Sequence, residues 1–299
     1  MSPLTNKIDF AVIFSVKNAN PNGDPLNSNR PRTDYEGYGE MSDVCLKRKI
    51  RNRLLHEGFP IFVQSDDNKI DNMPSLKARA ESEEYGLGNE AFLFKKPKKT
   101  EKPEMKSQIR KKNAYKEIET AQRACEKWLD VRAFGQLFAF SGGDEREGVS
   151  IPIRGPVTVQ PVFSVEPVSI TSTQITKSVS GEGDGGKKAS DTMGMKHRID
   201  KGVYVAFGAM TPQLAERTGF SDDDASKIKA VLPKLFEGDA SSARPEGSMA
   251  VGKVIWWLHN SKTGQYSSAK VHKTLTVNPD GSYVLDNLEG LTPEEIDGF

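Results

Sequence analysis

The chain has 299 residues, 42 Lys and Arg against 41 Asp and Glu, and a formal net charge of +1. Apolar residues make up 36%, charged residues 28%, and the mean hydropathy is −0.57. This balance excludes a uniformly basic nucleic-acid coat and an acidic tail protein, but leaves room for charge segregated along the chain. At roughly 150 residues per domain, the length fits about two domains or one large domain with insertions.

Taken in chain order, the first element is a strand. Ile8, Phe10, Val12, Phe14 and Val16 alternate with Asp9, Ala11, Ile13, Ser15 and Lys17, the period of a sheet with one buried face. No basic region precedes this apolar stretch, and Asp9 and Ser15 interrupt it, so no signal peptide is expected. No apolar run approaches the ~18 residues of a membrane span, and the cytoplasm is the expected location. Residues 18–32, NANPNGDPLNSNRPR, form a turn-rich loop at the strand's end. Ser42 opens a helix with Asp43 in its first turn and Gly58 after its last. Leu46, Ile50 and Leu54 give it an apolar stripe, flanked by Lys47 and Arg51 on one side and Lys49 and Arg53 on the other.

From about residue 60 to 112 the hydrophobic pattern weakens. Residues 95–112 hold nine basic and two acidic side chains, net +7 by subtraction, and read as an insertion or basic flap. A helix from about 114 to 130 is expected next, then a short helical run, VRAFGQLFAF. Strands follow at 157–165, where Pro161 implies an edge or bulge, and at 168–177. The loop at 178–201 is glycine-rich and then basic, with Met193 and Met195, and leads into a strand at 203–210. Residues 222–236 read as a helix with three aspartates at its favourable N-terminal end, and 251–258 and 271–277 as closing strands. The tail, 278–299, has six acids and no Lys or Arg. The architecture expected is α+β with insertions.

Few residues fit catalysis. Metal-dependent phosphodiester cleavage needs carboxylates converging on one or two cations. Asp24 and Asp34, with Glu36 and Glu40 nearby, are the candidates, yet Asp in a turn-rich stretch ordinarily serves local backbone hydrogen bonds. No histidine has a partner three or four residues away, and the two cysteines, Cys45 and Cys125, sit alone in helical patterns, so neither metal nor disulfide is expected. GEGDGG at 181–186 lacks the Lys-Ser/Thr of a phosphate-binding loop, and no cofactor is expected. Trp256 and Trp257 read as core.

Basic and amide residues carry more. A helix with Lys and Arg beside its buried stripe can present cations to a phosphate chain, although a solvated face fits it equally. Asn20 and Asn22 supply neutral donors, and Met193 and Met195 supply apolar wedges on a basic excursion. Together they suggest a sequence-tolerant binder of single-stranded RNA.

The strings IDFAVIFSVKNANPNGDP, LKRKIR, DVRAFGQLFAF, IRGPV and TMGMKHRIDKGVYVAFG together resemble the Cas-seven family of the RAMP superfamily, from about residue 8 to about 285. The resemblance is to the backbone subunit of the type I-C CRISPR surveillance complex, Cascade. The resemblance implies an α+β fold with an RRM-like (ferredoxin-like βαββαβ) palm at 1–59 and 130–299. It also implies a helical finger insertion at 60–129, holding the flap at 95–112, and a β-hairpin thumb at about 164–201. It implies a non-enzymatic subunit, copies of which assemble head to tail as a helical filament along a CRISPR guide RNA. The guide is then kinked at intervals and left open for target DNA in antiviral defence. The implied RNA contacts are Asn18, Asn20 and Asn22 in the loop, Lys47, Arg48 and Arg51 on the helix, and Met193, Met195, Lys196 and His197 on the thumb. Implied partners are the guide RNA, further copies, the guide-processing RAMP subunit and the large subunit, target DNA through the guide, and a recruited helicase-nuclease, with no membrane. Charge alone turns the flap toward target DNA and the acidic tail toward a neighbour's basic surface. Some relatives in type III complexes cut RNA with a loop aspartate; the second reading is such a metal-dependent ribonuclease, using Asp24 or Asp34.

Overall fold

The computed structural model describes residues 2–98, 100–142, 146–176 and 193–299. Its main elements in chain order are β1 (Ile8–Ala19), β2 (Tyr38–Met41) and α1 (Asp43–His56). After a region of short elements come α2 (Pro103–Lys127), α3 (Leu129–Phe134), β3 (Gly135–Phe140) and β4 (Val149–Arg154). Then follow β5 (Val157–Val159), β6 (Val162–Pro167), β7 (Ile170–Thr176) and β8 (Met193–Met210). The chain closes with α4 (Asp222–Val231), β9 (Met249–Leu258) and β10 (Glu294–Asp297). One large antiparallel sheet of eight strands dominates, in the order β10-β9-β1-β8-β6-β2, with β5 and β7 also paired to β8.

The alternation read in β1 explains its central place. Phe10, Val12, Phe14 and Val16 enter the main core with Leu46, Ile50 and Leu54 of α1 and Ile228 and Val231 of α4. Phe10 stacks on Trp256 and Phe14 on Tyr204, so the two strands beside β1 are joined to it by rings as well as by backbone bonds. Each fully buried side chain of this size contributes roughly 1.5–3 kcal/mol. The expectation of one buried face is corrected: Ala11 and Ile13 are buried as well, with Ile255, Trp257, Val271 and Leu291. The segment after β9 folds over the second face and covers them. A further cluster joins Phe62, Phe92, Phe94 and Trp128 to Phe138, Val149 and Ile151, so β3 and β4 pack with the region expected to be the insertion.

Several boundaries differ from the sequence reading. α2 begins at Pro103, eleven residues before the expected start, so the second half of the basic flap is helical. Proline fits the first helical turn, and nothing after it breaks the helix until Trp128. VRAFGQLFAF is not one helix but the end of α3 followed by β3, because Gly135 takes φ 81, where a Cβ would lie 2.3 Å from the Ile153 carbonyl oxygen. Residues 157–165 split at Pro161 into β5 and β6, as its missing N–H implies. The 271–277 stretch begins in the end of a short helix (Ser268–His272) and finishes in a strand (Leu275–Val277). The end of the acidic tail, Glu294–Asp297, is an edge strand of the chain's own sheet: Asp297 pairs with Lys253 and Glu294 with Lys229, both at 2.5 Å. The glycine-rich stretch at 177–192 lies outside the described residues.

Candidate nucleic-acid interface

The asparagines after β1 each have a local structural use. Asn18 sits in the left-handed region (φ 55), which Asn tolerates better than most residues. Around it the β1–β8 pair changes phase. Val16 and Gly202 are buried before it and Ala19 and Ile199 after it, while Lys17 and Lys201 lie opposite one another and exposed. Neither lysine makes an ion pair among the described residues, and like charges directly opposite each other are unfavourable without a counter-ion. Asn20 is buried, donating to the Asn29 carbonyl at 2.7 Å, and its own Oδ1 is buried without a partner. Asn22 Oδ1 accepts from both the N–H and the hydroxyl of Ser42, each at 3.0 Å. Ser42 in turn caps α1 by accepting from the Cys45 N–H, so the loop is locked to the helix start.

The cations on α1 differ in what they meet. Lys49 is buried at 1% exposure, pairs with Asp239 and lies over the Phe236 ring, and burial lowers its pKa. It is therefore core, which corrects its reading as a surface cation beside the stripe. Arg51 reaches Asp130 at 3.0 Å and stacks on Phe134; Asp130 also accepts from the N–H groups of Phe62 and Val63, so Arg51 closes a buried network. Lys47 is paired with Asp43 on the helix surface, a bond worth about 0.3–0.5 kcal/mol. Arg48 is half-buried and makes no ion pair among the described residues.

The β7–β8 hairpin carries the remaining predicted residues. Met193 and Met195 are 65% and 54% exposed, and Lys196 and Arg198 are exposed on the alternate positions. His197 is buried against Ser172, its register partner, with Nδ1 2.8 Å from the hydroxyl oxygen. Arg30 of the asparagine-rich loop donates to that same oxygen at 3.3 Å. The loop and the hairpin root, 142 residues apart in sequence, thus meet, and exposed Lys17, Lys201, Lys196 and Arg198 lie on the paired strands β1 and β8. Arg30, Ser172, Lys17 and Lys201 were not singled out from sequence. The alternation of β1 places Lys17 on the strand, but the lysine opposite it is visible only from strand register.

The aspartates proposed for catalysis serve the backbone. Asp24 caps the turn Pro25–Asn27 through the Leu26 N–H and pairs with Arg32 at 3.4 Å. Asp34 accepts from the N–H groups of Glu36 and Tyr38 at 3.0 and 2.9 Å. Among the described residues no group of three or more His, Cys, Asp or Glu is arranged to hold a metal, and no helix is long and apolar enough to cross a membrane.

The chain is of mixed α/β class, built around a large antiparallel sheet with a polar loop at one end. The sequence profile described as CRISPR-associated protein Cas7 matches residues 6–292, and the chain belongs to that family. It is 24% identical over 257 residues to the CRISPR-associated protein Cas7 of Haloferax volcanii, covering 79% of this chain and 66% of that one. Among solved structures it is similar to a chain of a CRISPR RNA-guided surveillance complex in a pre-nicking state, with TM-score 0.47 and 15% identity, over 92% of this chain and 84% of the other. A second chain from a CRISPR RNA-guided surveillance complex aligns with TM-score 0.43 and 16% identity, over 92% and 77%.

Proposed function

We propose that this chain is the guide-RNA-binding backbone subunit of a type I-C Cascade complex, non-enzymatic, with copies arranged head to tail along the guide. The observation that carries this reading is the joined surface of loop and hairpin, coupled through Arg30, Ser172 and His197, in a chain of the Cas7 family. Cations without base-specific donors bind phosphates independently of sequence, which a scaffold for many guides requires. Base pairing then reads the target DNA. The antiparallel order β9-β1-β8-β6, with α1 between β1 and β6 and α4 between β8 and β9, matches the order a βαββαβ palm requires and supports the RRM-like reading. In this reading β7 and β8 are the thumb, Met193 and Met195 its wedges, and residues 60–129 the finger. Asn18, Asn22, Lys47, Arg48 and Lys196 line the guide with Lys17 and Lys201, while the buried Asn20 and His197 brace the loop and the hairpin root and Arg51 supports the surface through Asp130. Partners are the guide RNA, further copies, the guide-processing and large subunits, target DNA and a recruited helicase-nuclease.

The test is co-expression with a CRISPR array and the other subunits, followed by mass measurement and RNA titration of the isolated chain. A large ribonucleoprotein holding several copies is expected; a monomer free of nucleic acid overturns the reading. Lys17→Glu with Lys201→Glu should flatten the dependence of log K on log salt by about 1.4, at ~0.7 per phosphate partner on a single strand. Unchanged affinity and slope would place the RNA elsewhere.

A further inference from the structure

We propose that the cleft between the first half of α2 and the strap at residues 93–98 is a docking groove for an acidic, amphipathic peptide segment of a partner protein. It stands apart from the guide-RNA reading. α2 has 25 residues, yet its buried ones, Thr120, Ala124 and Cys125, all lie in its last third. A half-helix with no core beneath it is marginal in water. Here the strap steadies it. Asn113 accepts from the Lys95 N–H at 3.4 Å and donates to the Lys95 carbonyl at 3.0 Å, and Lys116 donates to the Leu93 carbonyl at 2.9 Å. These bonds tie the strap to the helix at Asn113 and Lys116, which line the cleft together with Met105 and Ile109.

The cleft measures about 380 Å³, and its lining combines an apolar floor of Leu93, Met105 and Ile109 with cations at Lys95, Lys112 and Lys116. Met105 is 52% exposed, and Lys95 and Lys112 make no ion pair among the described residues. The surrounding residues 95–112 carry the net +7 noted above. This combination selects the occupant. A phosphate chain needs the cations and gains nothing from the floor. A segment with apolar residues one helical turn apart and Asp or Glu between them uses both, as in helix-in-groove recognition. Opposite charge guides the encounter, and apolar anchors in the floor hold it.

The test uses the purified full chain and two fluorescein-labelled probes read by anisotropy. One is a synthetic helical peptide of Leu, Glu and Ala with Leu at i, i+3 and i+4 spacing; the other is a short DNA duplex. The peptide is expected to bind. Ile109→Ser, and separately Met105→Ser, should weaken the peptide about tenfold while moving the duplex less than about twofold. Lys95→Gln with Lys112→Gln should weaken both probes. Failure of the peptide to bind, or binding indifferent to both apolar variants, overturns the proposal. Duplex binding that responds to the lysine variant without any peptide binding overturns it too, and identifies a nucleic-acid surface instead. Circular dichroism of each variant separates loss of the groove from loss of the fold, and Met105, more than half exposed, can change without unpacking a core.

Discussion

Asp239 shows how a single side chain redirects a reading of charge. It accepts from Arg244 at 3.0 Å and pairs with Lys49, so the lysine that sequence spacing set beside an apolar stripe points inward. Removing one partner of a buried pair leaves the other charge uncompensated. Asp239→Ala should therefore lower stability by about 3–5 kcal/mol, read as the urea midpoint. Lys49→Met should cost far less, because Arg244 still neutralises Asp239 and a Met side chain fills similar volume. Equal losses from the two variants would show that packing rather than charge decides this site. Asn22→Ala offers a milder contrast: it removes two hydrogen bonds that fix the loop to Ser42 and should cost about 1–2 kcal/mol, measured the same way.

At the level of elements, the acidic tail is the instructive case. Composition marks it as acidic but cannot say what the acids face. In the structure Ile296 lies opposite Val254, and the flanking acids meet Lys253 and Lys229 of the same chain. Deleting residues 293–299 should lower stability by on the order of 2 kcal/mol, because β9 loses its edge partner and Trp256 loses cover. An unchanged urea midpoint would return the tail to the surface role that its charge suggested. Local patterns made other elements legible: the Ser42 cap, the Leu46–Ile50–Leu54 stripe and the alternation of β1 are each contained within one element. What escaped depends on distant chain. The early start of α2 relies on a strap anchored through Asn113, and the meeting of Arg30 with Ser172 relies on β7 being placed by β8. The glycine at 135 was readable in principle, but its positive φ depends on the approach of the Ile153 carbonyl.

At the scale of the whole molecule, Asp9, Asp71 and Asp224, buried carboxylates held in their charged form, contribute to the response to acid. Burial works to raise the pKa of Asp9, but the His259 hydrogen bond at 2.9 Å, the neighbouring His272 and Ser268 side chains and the charge of Lys7 outweigh it and hold the group well below the usual range. The Arg79 hydrogen bond does the same for Asp71. For Asp224, burial is again outweighed, by the two-pronged contact with Arg132 at 2.8 Å and by Ser221. Depressed folded-state values mean that this stabilisation is fully present above the unfolded Asp value of about 3.9 and is lost as pH falls through the folded ones. The urea midpoint should therefore drop steeply below about pH 4. Asp224→Asn should lower the midpoint at neutral pH and make the acid limb shallower. An acid limb of unchanged steepness in that variant would exclude Asp224 from the response.

β8 has a mechanical meaning as well. Its 18 residues run without interruption from the middle of the sheet into the hairpin, about 60 Å at ~3.4 Å per residue. A joint of separate elements would swing at its loop; this arm is a cantilever whose root is clamped between β1 and β6. At that root Gly202 leaves room for Val168 and Tyr204, which a Cβ would meet at 3.0 and 3.1 Å, so the clamp is tight where the arm leaves the sheet. Load applied to the arm is therefore borne by the backbone ladder of the core sheet. In a row of copies such as proposed above, the spacing between neighbours would be set by the stiffness of this two-stranded arm.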